Sequence, residues 1–411
     1  MAQLNITVET EILKDLFTQS GKDKAFAKLM ESILNQVLQA QASEQIGAGY
    51  YERNADRQAY RNGTRDRSMK TRIGTLTLSV PRLRNGAFST ELFARYQRSE
   101  QALVLSMMEM VIQGVSTRKV SAITEELCGT EFSKSTVSAL CAKLDPAVDA
   151  FLNRPLEKRY PFVIVDALYT KVREDGCVHS VGLLLATGVN EEGYREILGT
   201  HIADTETEDS WSVLFQNLKD RGLKDVRLVV SDAHSGLVNA IKKHFKGTSW
   251  QRCQTHFSRN ILDKCPKSQQ ADLKQELRSL YEASNMETAR RLLRSILEIF
   301  GEKAPKAMEI LEEGFEDAMQ ILFLPLPLRR RLRTSNSIER LNQEIRRRER
   351  VIRIFPNRES LQRLVGALLM DTNEGWLTGK RYLSPESIRE ALTPVEEAQS
   401  AGYSKGSEEA A

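Results

Sequence analysis

Three acidic residues stand where the cleavage of a phosphodiester would need them. Asp166 follows the apolar run at 162–165, and Asp232 follows a second apolar run at 226–231. Glu339 begins a segment that continues into an arginine cluster. Carboxylates at the ends of buried strands repel one another and resist ionising together. A pair of divalent cations removes that conflict, activates a water and stabilises a leaving phosphodiester oxygen. The placement predicts metal-dependent phosphoryl chemistry on a polyanion.

Each acid also has a purely structural interpretation. Asp166 could accept backbone hydrogen bonds at a strand end, and Asp232 could cap the helix that follows it. Glu339 lies three residues after Asn336 and could complete an arrangement that resembles a capping box. Three such coincidences on two converging strands and one arginine-rich helix favour the catalytic interpretation.

The elements that must position these acids lie between residues 160 and 265. Alternating apolar patterns predict strands at 161–169, 177–189, 194–203 and 225–232, with helices at 207–220 and 235–245. This order predicts an α/β fold with a mixed sheet flanked by helices, in which the first three strands form a meander. Asp166 then lies in the central strand and Asp232 at the end of the fourth, so that both meet at one sheet edge.

A helical region separates this sheet from Glu339. Leucines and isoleucines recur at helical spacing through 266–325, which predicts an all-helical insertion. In the next helix, Glu339, Arg346 and Arg350 share one face with Asn342 or Gln343. We expect Arg346, Arg348 and Arg350 to contact DNA; the alternative is a solvated face on which Glu344 and Glu349 pair with the arginines.

The N-terminal third carries the second basic region. Residues 52–84 hold nine lysines and arginines against three acids, and Tyr50, Tyr51 and Tyr60 lie before and among them. Such mixtures are typical of nucleic-acid contact, although a solvated basic loop and hairpin is the alternative. Residues 76–80 alternate as a half-buried strand. The residues expected to contact DNA here are Arg61, Arg65, Arg67, Lys70 and Arg72.

Two flanking segments predict helices. Residues 10–46 carry an apolar stripe that suits either packing within their own domain or dimerisation. Residues 105–145 resemble a helix-turn-helix, with Ser116 and Ser133 as N-caps and Gly129 in the turn. The second helix would present Lys134 and Ser135 to DNA. Helix pairs of this kind are also common in proteins that do not bind DNA.

The remaining composition narrows the class of protein. Five scattered cysteines suit a reducing cytosol, and neither a secretion signal nor an apolar stretch of membrane-span length is present in the sequence. We therefore expect a cytoplasmic protein with no membrane partner. Cys253 and His256 have the spacing of half a zinc site, but no second pair follows. His256 is interpreted either as a satisfied polar residue or as a contact of the active site.

Taken in order, these motifs resemble those of the Mutator-like transposases of bacterial insertion sequences, which include insertion-sequence family 256. The resemblance extends over nearly the whole chain. It rests on the segments 165–169, 230–237, 251–256, 335–342 and 355–357.

The resemblance implies a ribonuclease-H-like catalytic core interrupted by the helical insertion, with mainly helical DNA-binding domains at the N-terminus. It implies that Asp166, Asp232 and Glu339 ligate two Mg²⁺ ions, or Mn²⁺ in their place, and that His256 supports the active site. The expected domains are 1–49 (dimerisation), 50–104 (basic DNA-binding segment), 105–158 (helix-turn-helix), 159–265 and 329–383 (catalytic core), 266–328 (insertion) and 384–411 (polar tail).

The function implied is that of a DDE-type DNA transposase in the bacterial cytoplasm, associated with the nucleoid. It would bind terminal inverted repeats of double-stranded DNA as a homodimer, nick them and join them to target DNA by copy-out-paste-in transposition through a circular intermediate. Two other functions remain open at this point. One is a DNA-binding regulator without catalysis, and the other is a ribonuclease-H-like nuclease such as a junction resolvase.

Overall fold

The computed structural model describes residues 5–17, 22–52, 55, 57–84, 88–93, 97–129 and 131–393. The chain divides into two compact units, Met1–Lys143 and Leu144–Ala411. The predicted subdivision into seven segments is finer than this division and stays a prediction.

The first unit combines helices with a two-stranded antiparallel hairpin. Its elements are α1 (Thr10–Phe17), α2 (Lys22–Ile46), β1 (Arg61–Thr71), β2 (Gly74–Leu83), α3 (Gln101–Ile112), α4 (Thr117–Cys128) and α5 (Lys134–Cys141). The predicted helical segment 10–46 thus holds two helices. The predicted strand at 76–80 is the centre of β2, whereas β1 was not expected as a strand.

Helix α2 covers one face of the hairpin. Leu38 from the helix packs with Leu76 and Leu78 from β2, and all three side chains are buried. The Asn35 Oδ1 atom accepts a hydrogen bond of 2.8 Å from the Ser79 backbone N–H. A lone hairpin is marginally stable in water, so this apolar and polar contact with α2 is what stabilises it.

The predicted helix pair is confirmed, together with its caps. The Ser116 side chain accepts a hydrogen bond from the Lys119 N–H at the start of α4, and the Ser133 side chain caps α5 in the same way. Gly129 ends α4 with a φ of 58°, in the left-handed conformation that glycine adopts without strain.

The second unit is built on a five-stranded mixed sheet with helices around it. Its first elements are α6 (Asp145–Leu152), β3 (Phe162–Glu174), β4 (Cys177–Val189), β5 (Arg195–Ala203), α7 (Glu208–Asp220), β6 (Leu228–Ser231), α8 (Ser235–His244) and β7 (Ser249–Arg252). The four predicted strands are confirmed in order, and β7 is an additional strand at the sheet edge.

The strand order is β5-β4-β3-β6-β7. Strands β3, β4 and β5 form the predicted antiparallel meander, while β6 and β7 run parallel to β3. Strand β3 is central, and residues 162–165 are buried. Continuous apolar runs of this kind are expected for strands that are covered on both faces.

Helices follow β7 without further strands up to residue 323. They are α9 (Gln254–Asp263), α10 (Gln270–Tyr281), α11 (Met286–Phe300) and α12 (Pro305–Ala318), with short 3-10 helices at Lys267–Gln269 and Gln320–Phe323. Two buried glutamines tie this region to the sheet edge. Gln251 donates to the Ala318 carbonyl and accepts from the Ile321 N–H, both at 2.7 Å, and Gln254 donates to the same Ala318 carbonyl.

The last helices return to the sheet: α13 (Leu326–Leu332), α14 (Asn336–Ile352), α15 (Arg358–Thr378) and α16 (Pro385–Leu392). Asn373 of α15 accepts a 2.8 Å hydrogen bond from the Ile197 N–H of β5. Within the described ranges, every helix is too short or too polar to cross a membrane.

Candidate active site

The two aspartates lie close together, just beyond the paired part of two parallel strands. Ile164 of β3 and Val230 of β6 are the last paired residues, and Asp166 and Asp232 each follow two residues later. The charge of Asp232 acts on the Asp166 carboxylate. Both side chains are half-buried. Ligand sites in α/β sheets form outside the carboxyl ends of parallel strands, which is where β6 ends.

The carboxylates of this pair have few hydrogen-bond donors. The Asp166 Oδ1 atom accepts from the Ala167 N–H at 3.0 Å, and the Asp232 Oδ1 atom accepts from the His234 N–H at 3.3 Å. Asp232 therefore does not cap α8, whose N-cap is His234. Burial, and then the neighbouring charge of Asp232, raise the pKa of Asp166 to about 7. The pair is electrostatically unfavourable unless a cation compensates it.

Helix α14 is fixed at both ends above this pair. At its start, the Ser335 N–H and hydroxyl both donate to the Cys253 sulfur, at 3.4 and 3.3 Å. At its far end, Phe355 exchanges backbone hydrogen bonds with Lys171 and Arg173 of β3, each 2.8 Å long. Because Ser335 is committed to Cys253, its side chain does not cap the helix.

This placement directs one face of α14 at the aspartates, as the helical spacing predicts. The Asn342 side chain donates a 2.8 Å hydrogen bond to the Asp166 Oδ2 atom. Glu339 lies one turn earlier, and its Oε1 atom is 3.5 Å from the His256 Nε2 atom. Within the part of the chain that the structure describes, this Oε1 atom and the Asn342 Oδ1 atom are buried without a hydrogen-bond partner.

His256 supplies positive charge next to the acids. The neighbouring Cys253 thiol is the main reason that the pKa of His256 is raised to about 9, and the charges of Asp166 and Glu339 add to the effect. Burial opposes ionisation of the Cys253 thiol, but the neighbouring His256 and Ser335 outweigh it and lower the pKa of the thiol. His256 is therefore protonated at neutral pH and compensates part of the carboxylate charge.

Cys253, His256 and Glu339 also place one potential ligand atom each within 4.8 Å of one another, the one such trio found among the described residues. The sulfur already accepts two hydrogen bonds from Ser335, whereas the His256 Nδ1 and Glu339 Oε1 atoms are buried without a hydrogen-bond partner among the described residues. Structural zinc sites use four ligands, of which sulfur and nitrogen here provide only two. All five cysteines are free thiols.

A fourth acid, Glu206, was not expected from the sequence. Its side chain accepts a 3.1 Å hydrogen bond from Trp211 and lies 3.5 Å from the His234 Nδ1 atom. Burial raises its pKa, and the charge of Asp232 contributes. The sequence around it is polar and joins a strand to a helix, so no pattern distinguishes it from a loop residue.

Some of the residues expected to contact DNA are exposed, and others are engaged within the protein. Lys134, Ser135, Arg346 and Arg350 are exposed. Arg348 differs from the expectation, because its side chain is only 3% exposed and pairs with Glu344. It lies on the side of α14 that packs inward, next to Ile345, so it is a structural residue.

Four of the five basic residues at 61–72 are engaged within the first unit. Arg61 donates to Ser43 at 2.6 Å, Arg72 pairs with Glu100 at 2.7 Å, and Arg67 and Lys70 each donate to a backbone carbonyl while lying over an aromatic ring. Arg65 is exposed. Their charges remain near the surface, but four of these side chains also hold the hairpin in place.

Comparison with known proteins places this arrangement in context. A family model described as "Transposase, Mutator family" matches residues 1–379. The transposase of insertion sequence IS256 in transposon Tn4001 of Staphylococcus aureus is 45% identical over 93% of this chain and 99% of its own length. The ISRM5 transposase of Rhizobium meliloti is 45% identical over 88% of this chain and 91% of its own length. The IS1081 transposase of Mycobacterium tuberculosis is 39% identical, with 95% of each chain covered.

Proposed function

The chain belongs to the Mutator family of transposases, and from this premise we propose that it is a DDE-type transposase with Asp166, Asp232 and Glu339 as its catalytic acids. The observation that carries this proposal is the proximity of the three acids, next to where the pairing of β3 with β6 ends, with too few donors to compensate their charge. The strand order, with a three-stranded antiparallel meander followed by two parallel strands, supports a ribonuclease-H-like core.

The donor set suits a hard divalent cation. Carboxylate oxygens are the ligands that Mg²⁺ prefers, and Mn²⁺ accepts the same set. Asp166, Asp232 and Glu339 would hold two such ions, and the unpartnered Glu339 oxygen is free to accept one. When bound, the metals would lower the pKa of the attacking water and stabilise charge on the reacting phosphate.

The neighbouring residues orient these acids. Asn342 donates to one Asp166 oxygen and thereby fixes the direction of the carboxylate. Protonated His256, beside Cys253, compensates the charge of Glu339 and acts as a positioning residue. The anchoring of Ser335 on Cys253 keeps the start of α14, and with it Glu339, close to the end of β7.

We propose a reaction in two displacements at phosphorus. In the first, a water oxygen attacks the phosphodiester at the element's end, the P–O3′ bond breaks and a 3′-OH is released. In the second, that hydroxyl attacks a phosphodiester in another strand, and a second 3′-oxygen leaves. Copy-out-paste-in transposition through a circular intermediate combines these steps, and neither needs a covalent bond between protein and DNA.

DNA recognition is assigned to two regions of the first unit. The exposed face of α5, with Lys134 and Ser135, would read the terminal inverted repeats, and Arg65 would contact phosphates. Arg346 and Arg350 of α14 would hold the DNA backbone near the acids. Two ends must be brought together, so we propose a homodimer, with α1 and α2 as candidates for its interface. The protein would act in the cytoplasm at the nucleoid, where its DNA lies.

The test is a cleavage assay with purified full-length protein. Linear DNA carrying both ends of the element is incubated with Mg²⁺ or Mn²⁺, next to Glu339→Gln and the control Glu349→Gln from the same helix. The proposal expects products at the element boundary for wild type and Glu349→Gln but not for Glu339→Gln. Equal product from Glu339→Gln, or metal-independent cleavage, would overturn the assignment of the acids.

A further inference from the structure

An aromatic cavity in the first unit has no part in the proposed cleavage chemistry. It has a volume of about 820 Å³ and lies between the end of α2 and the start of β1. This volume is within the usual range for small-ligand sites. Its lining consists of Gly49, Tyr50, Tyr51, Glu52, Ala55, Arg57, Tyr60 and Arg61.

Tyr51 is the least expected residue of this cavity. Its backbone φ is 56°, in the left-handed region that a bulky side chain enters only at a cost. The residue is also 97% exposed. The fold thus holds a large aromatic side chain in water on a strained backbone. Such an outlier points to a role in binding.

The cavity is preorganised by contacts within the unit. The Arg61 guanidinium lies 4.3 Å from the Tyr50 ring centroid and is held by Ser43 and Gln39 of α2. The Tyr50 and Tyr51 ring centroids are 5.7 Å apart. The Arg61 side chain, fixed in this way, loses little conformational freedom when a ligand binds.

The charge of the cavity is positive on balance. Arg57 lies 5.4 Å from the Tyr60 ring centroid and donates to the backbone carbonyls of Gly49 and Glu52. The Glu52 carboxylate accepts a 2.7 Å hydrogen bond from the Gly49 N–H, which partly satisfies it. Two guanidinium groups beside three tyrosine rings match a ligand that combines a flat π-system with an anion.

We propose that this cavity binds an unpaired nucleobase of a DNA strand, which stacks on Tyr51 while Arg57 and Arg61 contact its phosphates. The inference rests on the proposed function, because it takes DNA as the partner. It adds a site for single-stranded DNA to the double-stranded recognition assigned to α5. Stacking of a base on an aromatic side chain is independent of sequence, since every base has a π-face.

The test compares two DNA molecules with full-length protein: a blunt duplex, and the same duplex with a short single-stranded thymidine tail that contains 2-aminopurine. We expect the tailed DNA to bind about tenfold more tightly and its 2-aminopurine fluorescence to be quenched. Tyr51→Gly removes the ring and relieves the backbone strain, so it should fold at least as well as wild type. It should lose the preference for the tail and leave blunt-duplex affinity unchanged, whereas Tyr51→Phe should keep the preference.

Three results would overturn the inference. One is an unchanged preference for the tail in Tyr51→Gly, and another is an equal loss of affinity for both DNA molecules. The third is a change of oligomeric state in Tyr51→Gly, measured by sedimentation, which would assign the cavity to a second copy of the chain. Loss of metal-dependent cleavage in wild type with the tail preference intact would instead refute the proposed function alone.

Discussion

Two acidic sites in the second unit differ in the charge that lies beside them. Glu196, at the start of β5, is 6% exposed and accepts hydrogen bonds from Tyr160 at 2.9 Å and from Asn190 at 2.7 Å. Asp166 of β3 is half-buried and also accepts two hydrogen bonds, one from a backbone N–H and one from Asn342. The Glu196 carboxylate has the Lys158 ammonium 3.8 Å away, whereas Asp166 is placed near another acid, Asp232.

This difference separates a structural acid, Glu196, from the proposed functional acid, Asp166. A hydrogen-bonded carboxylate beside a cation holds the elements around it together. Two neighbouring carboxylates without such a cation are unfavourable for folding, and such a pair is a candidate for binding one. The comparison also tells which measurement should respond when each acid is changed.

The largest effect should follow from neutralising the functional acid. Asp166→Asn should reduce the initial rate of DNA cleavage at least about a thousandfold, because metal-dependent stabilisation of the transition state is worth several kcal/mol. Rates are measured on DNA with both element ends, with circular dichroism as the folding control. A rate within a few-fold of wild type would make Asp166 a structural acid like Glu196.

Stability should respond in the opposite way. Glu196→Ala should lower the free energy of unfolding by about 2–4 kcal/mol, because it leaves the Tyr160 hydroxyl and the Asn190 amide without their acceptor. Asp166→Asn should unfold at the same or a higher urea concentration, because it removes one of two repelling carboxylates. Urea titrations in EDTA compare the two. Similar destabilisation by both changes would contradict the distinction between Glu196 as a structural acid and Asp166 as a functional one.

Added metal should separate the proposed metal-binding acids from Glu196 further, without any cleavage assay. At ten times its dissociation constant, Mg²⁺ should stabilise the wild-type protein by about 1.4 kcal/mol, seen as a rise in melting temperature. Asp232→Asn should lose this rise, whereas Glu196→Gln should keep it from a lower starting temperature. A rise that persists in Asp232→Asn would place the metal elsewhere.

The smallest effect concerns the charges around the functional acids. Arg346→Gln should reduce the slope of log affinity against log salt by about 0.9, because one phosphate contact is lost. Arg348→Gln is the matched change on the same helix: its side chain is buried against Glu344, so it should lower stability and leave the salt slope unchanged. Equal slopes for Arg346→Gln and wild type would exclude Arg346 from the DNA interface.

The sequence predicted the strands and helix that carry the candidate site, as well as a helix pair in the first unit. The apolar runs before Asp166 and Asp232 are long enough to define strands, and the caps at Ser116 and Ser133 of the first unit follow from hydroxyls at helix starts. The face shared by Glu339 and Asn342 follows from helical periodicity alone.

The remainder depends on contacts between distant residues. Strand β7 has four residues and too short a pattern to be recognised. Strand β1 is rich in arginine, and of its side chains only Met69 and Thr71 are buried. Its sequence therefore shows no alternation of apolar and polar residues that would predict a strand. Arg348 could not be distinguished from its exposed neighbours, since its burial depends on how α14 packs.

The double attachment of α14 sets an order for the synthesis of the protein. The helix is held by Cys253 at one end and by β3 at the other, both of which leave the ribosome well before it does. Domains form from the N-terminus while synthesis continues, so the sheet with Asp166 and Asp232 can exist before Glu339 has been made. If the first unit binds DNA and Glu339 completes the site as proposed, then a nascent chain that holds the first unit but ends before Glu339 can engage DNA and cannot cut it.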